Sequence, residues 1–266
     1  NPDQDVALLN PLSQDLGVMR QSMVFGVLQS IGFNLNRKVG GLRVFEFGKT
    51  YRHNDNTFEE LDCLALGLAG KTNEGHWQSK AENISFFELK SSVHQLLLSL
   101  GISVTSEESC TQALWQEGLT AYNGSNTLVH FGLIQQDLCK AFDVELPVLY
   151  AEFNWAAIKS LIPKQSNKVT PIAKFPKVKR DLALLLDQQV SFDQLKKAAL
   201  KTEKQLLREV SLFDVYTGKN IPEGKKSYAL SFTLQDEHKT LTDKQIDKIM
   251  RKLQETFARE FEAVLR

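Results

Sequence analysis

Residues 210–232 read VSLFDVYTGKNIPEGKKSYALSF, two apolar runs joined by a loop that holds Gly218, Pro222, Gly224 and three lysines. In the first run Asp214 and Tyr216 stand two residues apart, so a strand turns both to one face. An aromatic ring gives a nucleic-acid base a surface to stack on, while a carboxylate and the hydroxyls of Ser227 and Ser231 offer partners for base edges. Cations nearby would meet phosphates: Lys225 and Lys226 end the loop, and KFPKVKR brings Lys174, Lys177, Lys179 and Arg180 just ahead of another apolar run. Plainer readings stand beside this one. An acid and a tyrosine on a solvated sheet face are unremarkable, and lysine-rich loops are usually just solvated.

Other chemistries find less support. GKT at 48–50 lacks the upstream glycine of a phosphate loop, since Arg43 occupies that position, and GKK at 224–226 lacks the hydroxyl residue directly after its first lysine. The five histidines (His53, His76, His94, His130 and His238) show no ligand spacing, and no Ser/His/Asp order stands out. Cys63, Cys110 and Cys139 are odd in number and scattered, which suggests neither a disulfide framework nor a zinc site.

The elements that must position Asp214 and Tyr216 follow from periodicity. DLALLLD (181–187) alternates as a buried strand, with Leu182, Leu184 and Leu186 on one face. Ser191 and Gln194 form a capping box that opens a helix with Phe192, Leu195, Ala199, Thr202 and Leu206 at helical spacing. Two strands around the Gly/Pro loop come next, then a second capping box, Thr242 with Gln245, and a helix striped by Ile246, Ile249, Met250, Leu253 and Phe257. FEAVLR closes the chain as a short strand. The order β-α-β-β-α-β predicts a four-stranded antiparallel sheet with both helices on one face and the other face open. Parity sends Leu182, Leu184, Leu186, Phe213, Val215, Tyr228, Leu230 and Phe232 toward the helices. Ala183, Leu185, Asp214, Tyr216, Ser227, Ala229, Ser231 and Thr233 fall on the open face. Domains of this topology also serve as metabolite sensors or dimerisation units.

The 266 residues, 42% of them hydrophobic, suffice for two cores. The overall formal charge of zero conceals an asymmetry: residues 1–167 hold 12 Lys and Arg against 18 Asp and Glu, whereas 168–266 hold 20 against 14. An anionic partner for the C-terminal part is one reading of that contrast. No apolar run is long enough for a membrane span, and the first residues lack the basic start and apolar stretch of a signal peptide. A soluble, cytoplasmic protein with no membrane partner is the expectation. Upstream, residues 1–162 alternate helix and strand patterns, among them a helix with Val24, Leu28, Ile31 and Leu35 on one face and strands in LRVFEFG, ELDCLALGLAG, TLVHFGLI and VLYAEFN. They predict an α+β domain on a mostly antiparallel sheet, joined by a linker at 163–171 to the βαββαβ domain at 172–266.

KFPKVKRDLALLLD, LFDVYTGKNIPEGKKSYALSF and TLTD resemble the ferredoxin-fold anticodon-binding domain that ends the β subunit of bacterial phenylalanyl-tRNA synthetases. The likeness lies in a Phe-Pro-x-Val-x-Arg-Asp start, a Phe-Asp-x-Tyr-x-Gly core and a Lys-Ser after the hairpin. One departure is the ending, EFEAVLR, where that family has Gly-Ala-x-x-Arg. NPLSxxxxxMRxS and Phe-Glu-x-Gly-x-x-Tyr-Arg are similar to the class II synthetase-like domain of the same subunit, so the resemblance runs through nearly the whole chain. It implies that the open face receives the anticodon loop of tRNA(Phe) on Ala183, Asp214, Tyr216 and Ser227. It further implies that ATP- and Mg2+-dependent phenylalanylation takes place on a separate α subunit in an (αβ)2 assembly, and that upstream domains, the editing domain among them, are missing from this chain. The N-terminal domain then binds no cofactor: Arg52-His53-Asn54 lacks the Glu of the Arg-x-Glu that grips adenylate in class II enzymes, and the Gly-rich strand ending in Arg is missing. A residual nucleotide site at Arg52 and Glu46 is the minor reading for that domain. For the whole chain, the rival is a non-enzymatic scaffold or ligand-sensing protein built from the same folds.

Overall fold

The computed structural model describes residues 2–13, 17–54, 57–163, 173–219 and 221–266. Its contacts divide the chain into two units, Asn1–Asn167 and Lys168–Arg266. The expected linker at 163–171 falls almost wholly outside the described residues.

In the first unit the elements are α1 (Val24–Leu35), β1 (Gly41–Asn54), β2 (Thr57–Asn73), β3 (Glu82–Asn83), α2 (Phe86–Ser99), β4 (Ser106–Ser109), β5 (Trp115–Asn123), β6 (Asn126–Ile134), α3 (Gln136–Lys140), β7 (Val148–Asn154) and α4 (Trp155–Leu161). The strands form one antiparallel sheet in the order β1-β2-β7-β6-β5-β4, with β3 paired to β2. Alternation along β7 sorts its two faces into two cores. Val148 and Tyr150 join α1 residues such as Leu28 and Ile31, whereas Leu149, Ala151 and Phe153 join Leu89, Val93 and Leu97 of α2 and Ile158 of α4. α2 is opened by a capping box in which Glu88 accepts from the Ser85 backbone N–H. WQEGLTAYN, which forms β5, and the short β4 were not expected, because their polar residues break the apolar alternation.

The second unit comprises β8 (Val178–Asp187), α5 (Phe192–Thr202), β9 (Leu207–Tyr216), β10 (Lys225–Leu234), α6 (Asp243–Phe261) and β11 (Val264–Leu265), with sheet order β11-β8-β10-β9. Both expected capping boxes are present, at Ser191/Gln194 and at Thr242/Gln245. The buried stripe of α6, Ile246, Ile249, Met250, Leu253 and Phe257, packs with Leu182, Leu184, Leu186, Leu230 and Phe232 in one core. Leu206, expected on the first helix, lies beyond the end of α5 and packs against the core from the loop. α6 also runs further than expected, to Phe261, and leaves only two residues for the last strand.

Two local features carry stability consequences. Glu262 ends α6 in the left-handed region, φ 50° and ψ 32°, a conformation that costs a residue with a Cβ roughly 1 kcal/mol. This is the position where the departure from Gly-Ala-x-x-Arg falls. Glu262→Gly is therefore expected to raise unfolding stability by about 0.5–1 kcal/mol, read from denaturant midpoints. In the first unit, burial would raise the carboxyl pKa of Glu107, but hydrogen bonds from His94 Nε2 (2.7 Å) and the Lys90 ammonium hold it down to about 2. A depressed carboxylate stabilises the fold above its unfolded pKa and loses that contribution as pH falls through the folded value. The wild-type protein should thus lose stability between about pH 4.5 and pH 2, by roughly 1–3 kcal/mol through this group, and Glu107→Gln should flatten that part of the stability–pH curve.

Candidate nucleic-acid interface

The register of the second sheet places side chains on its open face in rows. One row runs Val264, Leu185, Ser227, Tyr216 across β11, β8, β10 and β9. The next holds Ala183, Ala229 and Asp214, with the backbone N–H of Arg266 donating to the Ala183 carbonyl at 3.0 Å. A third holds Asp181, Ser231 and Ser211. All five residues expected to read bases, Ala183, Asp214, Tyr216, Ser227 and Ser231, therefore share one face.

Strict alternation along β9 fails at two points: Thr233 pairs with Glu209 but Leu234 with Leu207, which leaves Arg208 as an extra residue near the start of the strand, and a second shift lies at Phe213. Asp214 pairs with Ala229 and Leu212 with Leu230, so Phe213 is the extra residue of a β-bulge. The bulge shifts the phase, and Val210 and Leu212 face the helices in place of Phe213, which is 60% exposed. Val215 does keep helix-side register, opposite Tyr228, but it lies where the helices leave it 52% exposed. Thr233 and Ser227, both expected on an accessible face, are buried.

Tyr216 is held in place before any ligand arrives. Its hydroxyl donates to the Lys219 carbonyl at 2.9 Å, and its ring lies over Gly218, where an added Cβ would come within 2.5 Å of Oη. The guanidinium of Arg266, the last residue, sits 5.5 Å from the ring centroid. Arg266 was not among the expected contacts, because it reaches Tyr216 from the opposite edge strand. Its place as the arginine of the Gly-Ala-x-x-Arg ending was the available signal. Ser227, only 6% exposed between Leu185 and Tyr216, forms the floor. Among the described residues, no hydrogen bond or ion pair engages the side chains of Asp214, Ser227 or Ser231.

The expected phosphate-binding cations divide. Lys174 and Lys177 are exposed ahead of β8, and Lys179 and Lys225 have open-face parity. Arg180 and Lys226 do not. Arg180 stands opposite Phe232 and pairs with Asp243 of α6 at 3.6 Å, and the Lys226 amine lies over the Tyr228 ring on the helix side. Both share parity with Leu182 and Leu186, so their side chains leave the open face.

In the first unit, the sheet face beneath α1 is filled. Trp115 covers Gly118, where an added Cβ would come 2.9 Å from the indole Cγ, and stacks on Tyr150 at 5.9 Å. The Tyr150 hydroxyl donates to Glu152, which also accepts from Ser22 Oγ (2.8 Å) and the Met23 N–H (2.9 Å). Burial first, and the neighbouring Glu152 second, push the Tyr150 phenol far up. Burial lowers the pKa of His130, whose ring contacts Thr120 at 2.8 Å. Glu46, one of the two residues of the minor nucleotide reading, is bound by Arg20 at 2.8 Å, and Arg52 stands opposite Glu59 at the far end of β1. These residues do not fit a nucleotide. A cavity of about 670 Å3 lies on the other sheet face, its lining mostly apolar (Ile84, Phe86, Leu119, Leu133 and Leu149) with Ser109, Gln116 and Glu117 as its polar members and no Lys, Arg or His.

Residues 1–155 match the family described as "Phenylalanyl tRNA synthetase beta chain CLM domain", and residues 173–266 match "Ferredoxin-fold anticodon binding domain". The chain belongs to the phenylalanyl-tRNA synthetase β-chain family. It is 44% identical over 273 residues to the phenylalanine–tRNA ligase β subunit of Bacteroides thetaiotaomicron, with 98% of this chain covered but 33% of the relative. The β subunit of Porphyromonas gingivalis is 41% identical over the same shares, and that of Methylococcus capsulatus is 33% identical over 98% of this chain. The chain spans about a third of the length of these relatives.

The fit between Tyr216 and Gly218 leads to a test within the second unit. Gly218→Ala should push the tyrosine ring off its seat and lower RNA affinity, while Gly224→Ala, at a positive-φ turn with open space around it, should cost stability without that loss. RNA binding and thermal unfolding measured on both variants separate the two effects.

Proposed function

We propose that this chain is the part of a phenylalanine–tRNA ligase β subunit that reads the anticodon region of tRNA(Phe), through the open sheet face of its second unit. One observation supports this above others: a pre-seated aromatic ring, an arginine above it, and an unengaged carboxylate and hydroxyls share adjoining rows of one accessible face. Tyr216 is the stacking platform, and the planar guanidinium of Arg266 offers a base a second surface. Asp214 accepts from a base-edge amino group, Ser227 and Ser231 exchange hydrogen bonds with base edges, and Ala183 leaves room for a base to approach. Lys174, Lys177, Lys179 and Lys225 meet phosphates around that face.

The first unit supports a catalytic α subunit and carries no chemistry itself. Its filled sheet face favours this role, and exposed Phe45, Phe47 and Phe58 on β1 and β2 supply an apolar surface for a partner to cover. ATP, Mg2+ and the transfer of phenylalanine to tRNA belong to the complete (αβ)2 enzyme, in the cytoplasm. No step of that reaction involves a residue of this chain.

Tyr216→Ala should weaken tRNA(Phe) binding by about 1–3 kcal/mol, the range for one stacked base, with no loss of folding. Filter binding with tRNA(Phe) and a second tRNA provides the comparison. Equal, salt-sensitive binding of both tRNAs, or an unchanged Tyr216→Ala affinity alongside a loss in Lys177→Ala, would refute the open-face reading. Aminoacylation by this chain without an α subunit would refute the silent role of the first unit.

A further inference from the structure

The helical layer of the second unit carries its own charge pattern, facing away from the open sheet. α5 and α6 together hold eight Lys and Arg against five Asp and Glu. Three of the acids are already engaged: Asp193 with Lys197, Asp243 with Arg180 and Glu260 with Arg259. The buried stripe of α6 turns Lys244, Lys248 and Lys252 outward at i, i+4 spacing, with Arg251 beside Lys252 and three residues after Lys248, all of them exposed. Lys252 donates to the Thr202 carbonyl at the end of α5. Among the described residues, Lys244, Lys248 and Arg251 have no ion-pair partner within 4 Å.

We propose that the outer face of α6 is a second, sequence-independent RNA contact, at which Lys244, Lys248 and Arg251 bind backbone phosphates. Its shape fits a chain of anions better than one small anion. The three cations span seven residues, about 10 Å of helix axis, along a shallow depression of about 460 Å3 that Lys252 extends. Two acids, Asp247 and Glu255, line the same depression against four cations, so its charge stays net positive. The exposed positions of α6 hold no apolar residue larger than Ala258, so this face has nothing to insert into a lipid bilayer. Such contacts fix position and add affinity but carry no base information, which complements an open face rich in base-reading groups and poor in cations directly over it. The phosphates are those of another segment of the bound tRNA.

This inference rests on the RNA-binding reading of the second unit, and the test separates the two. In the complete two-subunit enzyme, K244Q/K248Q/R251Q is compared with Tyr216→Ala and wild type, using tRNA(Phe) and a non-cognate tRNA over a range of salt. Each lost phosphate contact removes about 0.7–0.9 from the slope of log affinity against log salt, so the triple variant should be shallower by about 2 for both RNAs. Tyr216→Ala should leave the slope unchanged and reduce only the preference for tRNA(Phe). An unchanged slope in the triple variant, with an unchanged thermal midpoint, overturns the second contact whatever Tyr216→Ala does. A shallower slope with no Tyr216→Ala effect retains it while the anticodon reading fails. Binding stoichiometry by titration is expected to give one RNA per open face, in wild type and triple variant alike; a second RNA bound by the wild type and lost in the triple variant overturns the assignment to the same tRNA.

Discussion

A strand that shows one side to a helical layer and the other to solvent works only while its phase is fixed, since a slip of one residue exchanges its faces. In β9 that phase depends on the bulge at Phe213. Below the bulge Val210 and Leu212 enter the core, and above it Asp214 and Tyr216 point away from the helices. Without the extra residue, one of these two pairs would be on the wrong side, and either the core would lose two aliphatic groups or the open face its carboxylate and ring. The exposure of Phe213 is the local cost of keeping both. Bulges gather where a side chain must be re-aimed, and here two are re-aimed together.

The far edge of the sheet depends on an equally short-range device. β11 has only two residues, too few to hold a strand in place unaided, and it follows directly from the left-handed turn at Glu262. That turn lets the chain leave α6 and run antiparallel to β8, where the Arg266 N–H reaches the Ala183 carbonyl. From that anchor the Arg266 side chain reaches Tyr216 over Ala183 and Ala229. Small residues in the middle strands and long ones at both edges make a shallow trough, with Ser227 on its floor. The strain at Glu262 is thus tied to the position of the guanidinium beside the Tyr216 ring.

Much of the second unit was legible because its signals are local. Two capping boxes set the starts of α5 and α6, and alternating leucines in β8 set which face is buried. What escaped was non-local or unmarked. VSLFDVY reads as one unbroken apolar run, with no glycine to announce a bulge, so parity carried Phe213 into the core. Arg266 meets Tyr216 across three strands, a distance that no spacing rule encodes. The sides taken by Arg180 and Lys226 were available from parity, since they alternate in step with Leu182 and Leu186; composition alone grouped them with the other cations. In the first unit β5 was hidden by its polar residues, and with it Trp115, the side chain that decides what the sheet face beneath α1 can hold.

The two units dispose similar polar groups differently, committed to packing on one sheet face of the first and left without protein partners on the open face of the second. Beneath α1, Glu152 is surrounded by donors, the Tyr150 phenol is buried and kept protonated, and an indole covers the glycine floor. The phenol and the carboxylate of that row are turned to neighbours, which stabilises the fold, whereas the buried Trp115 Nε1–H has no hydrogen-bond partner among the described residues. On the open face of the second unit the converse holds. The side chains of Asp214, Ser227 and Ser231 have no hydrogen-bond or ion-pair partner among the described residues, and the ring of Tyr216 is seated by its hydroxyl on the Lys219 carbonyl and by contact with Gly218, with the Arg266 guanidinium 5.5 Å from its centroid. Polar groups without partners reduce stability when buried, and a shallow trough avoids most of that penalty because water can reach it. A ligand that replaces that water with base edges and a stacked ring recovers the hydrogen bonds and adds apolar contact. This difference, rather than the presence of an acid and an aromatic residue in each unit, separates a structural polar network from a recognition surface.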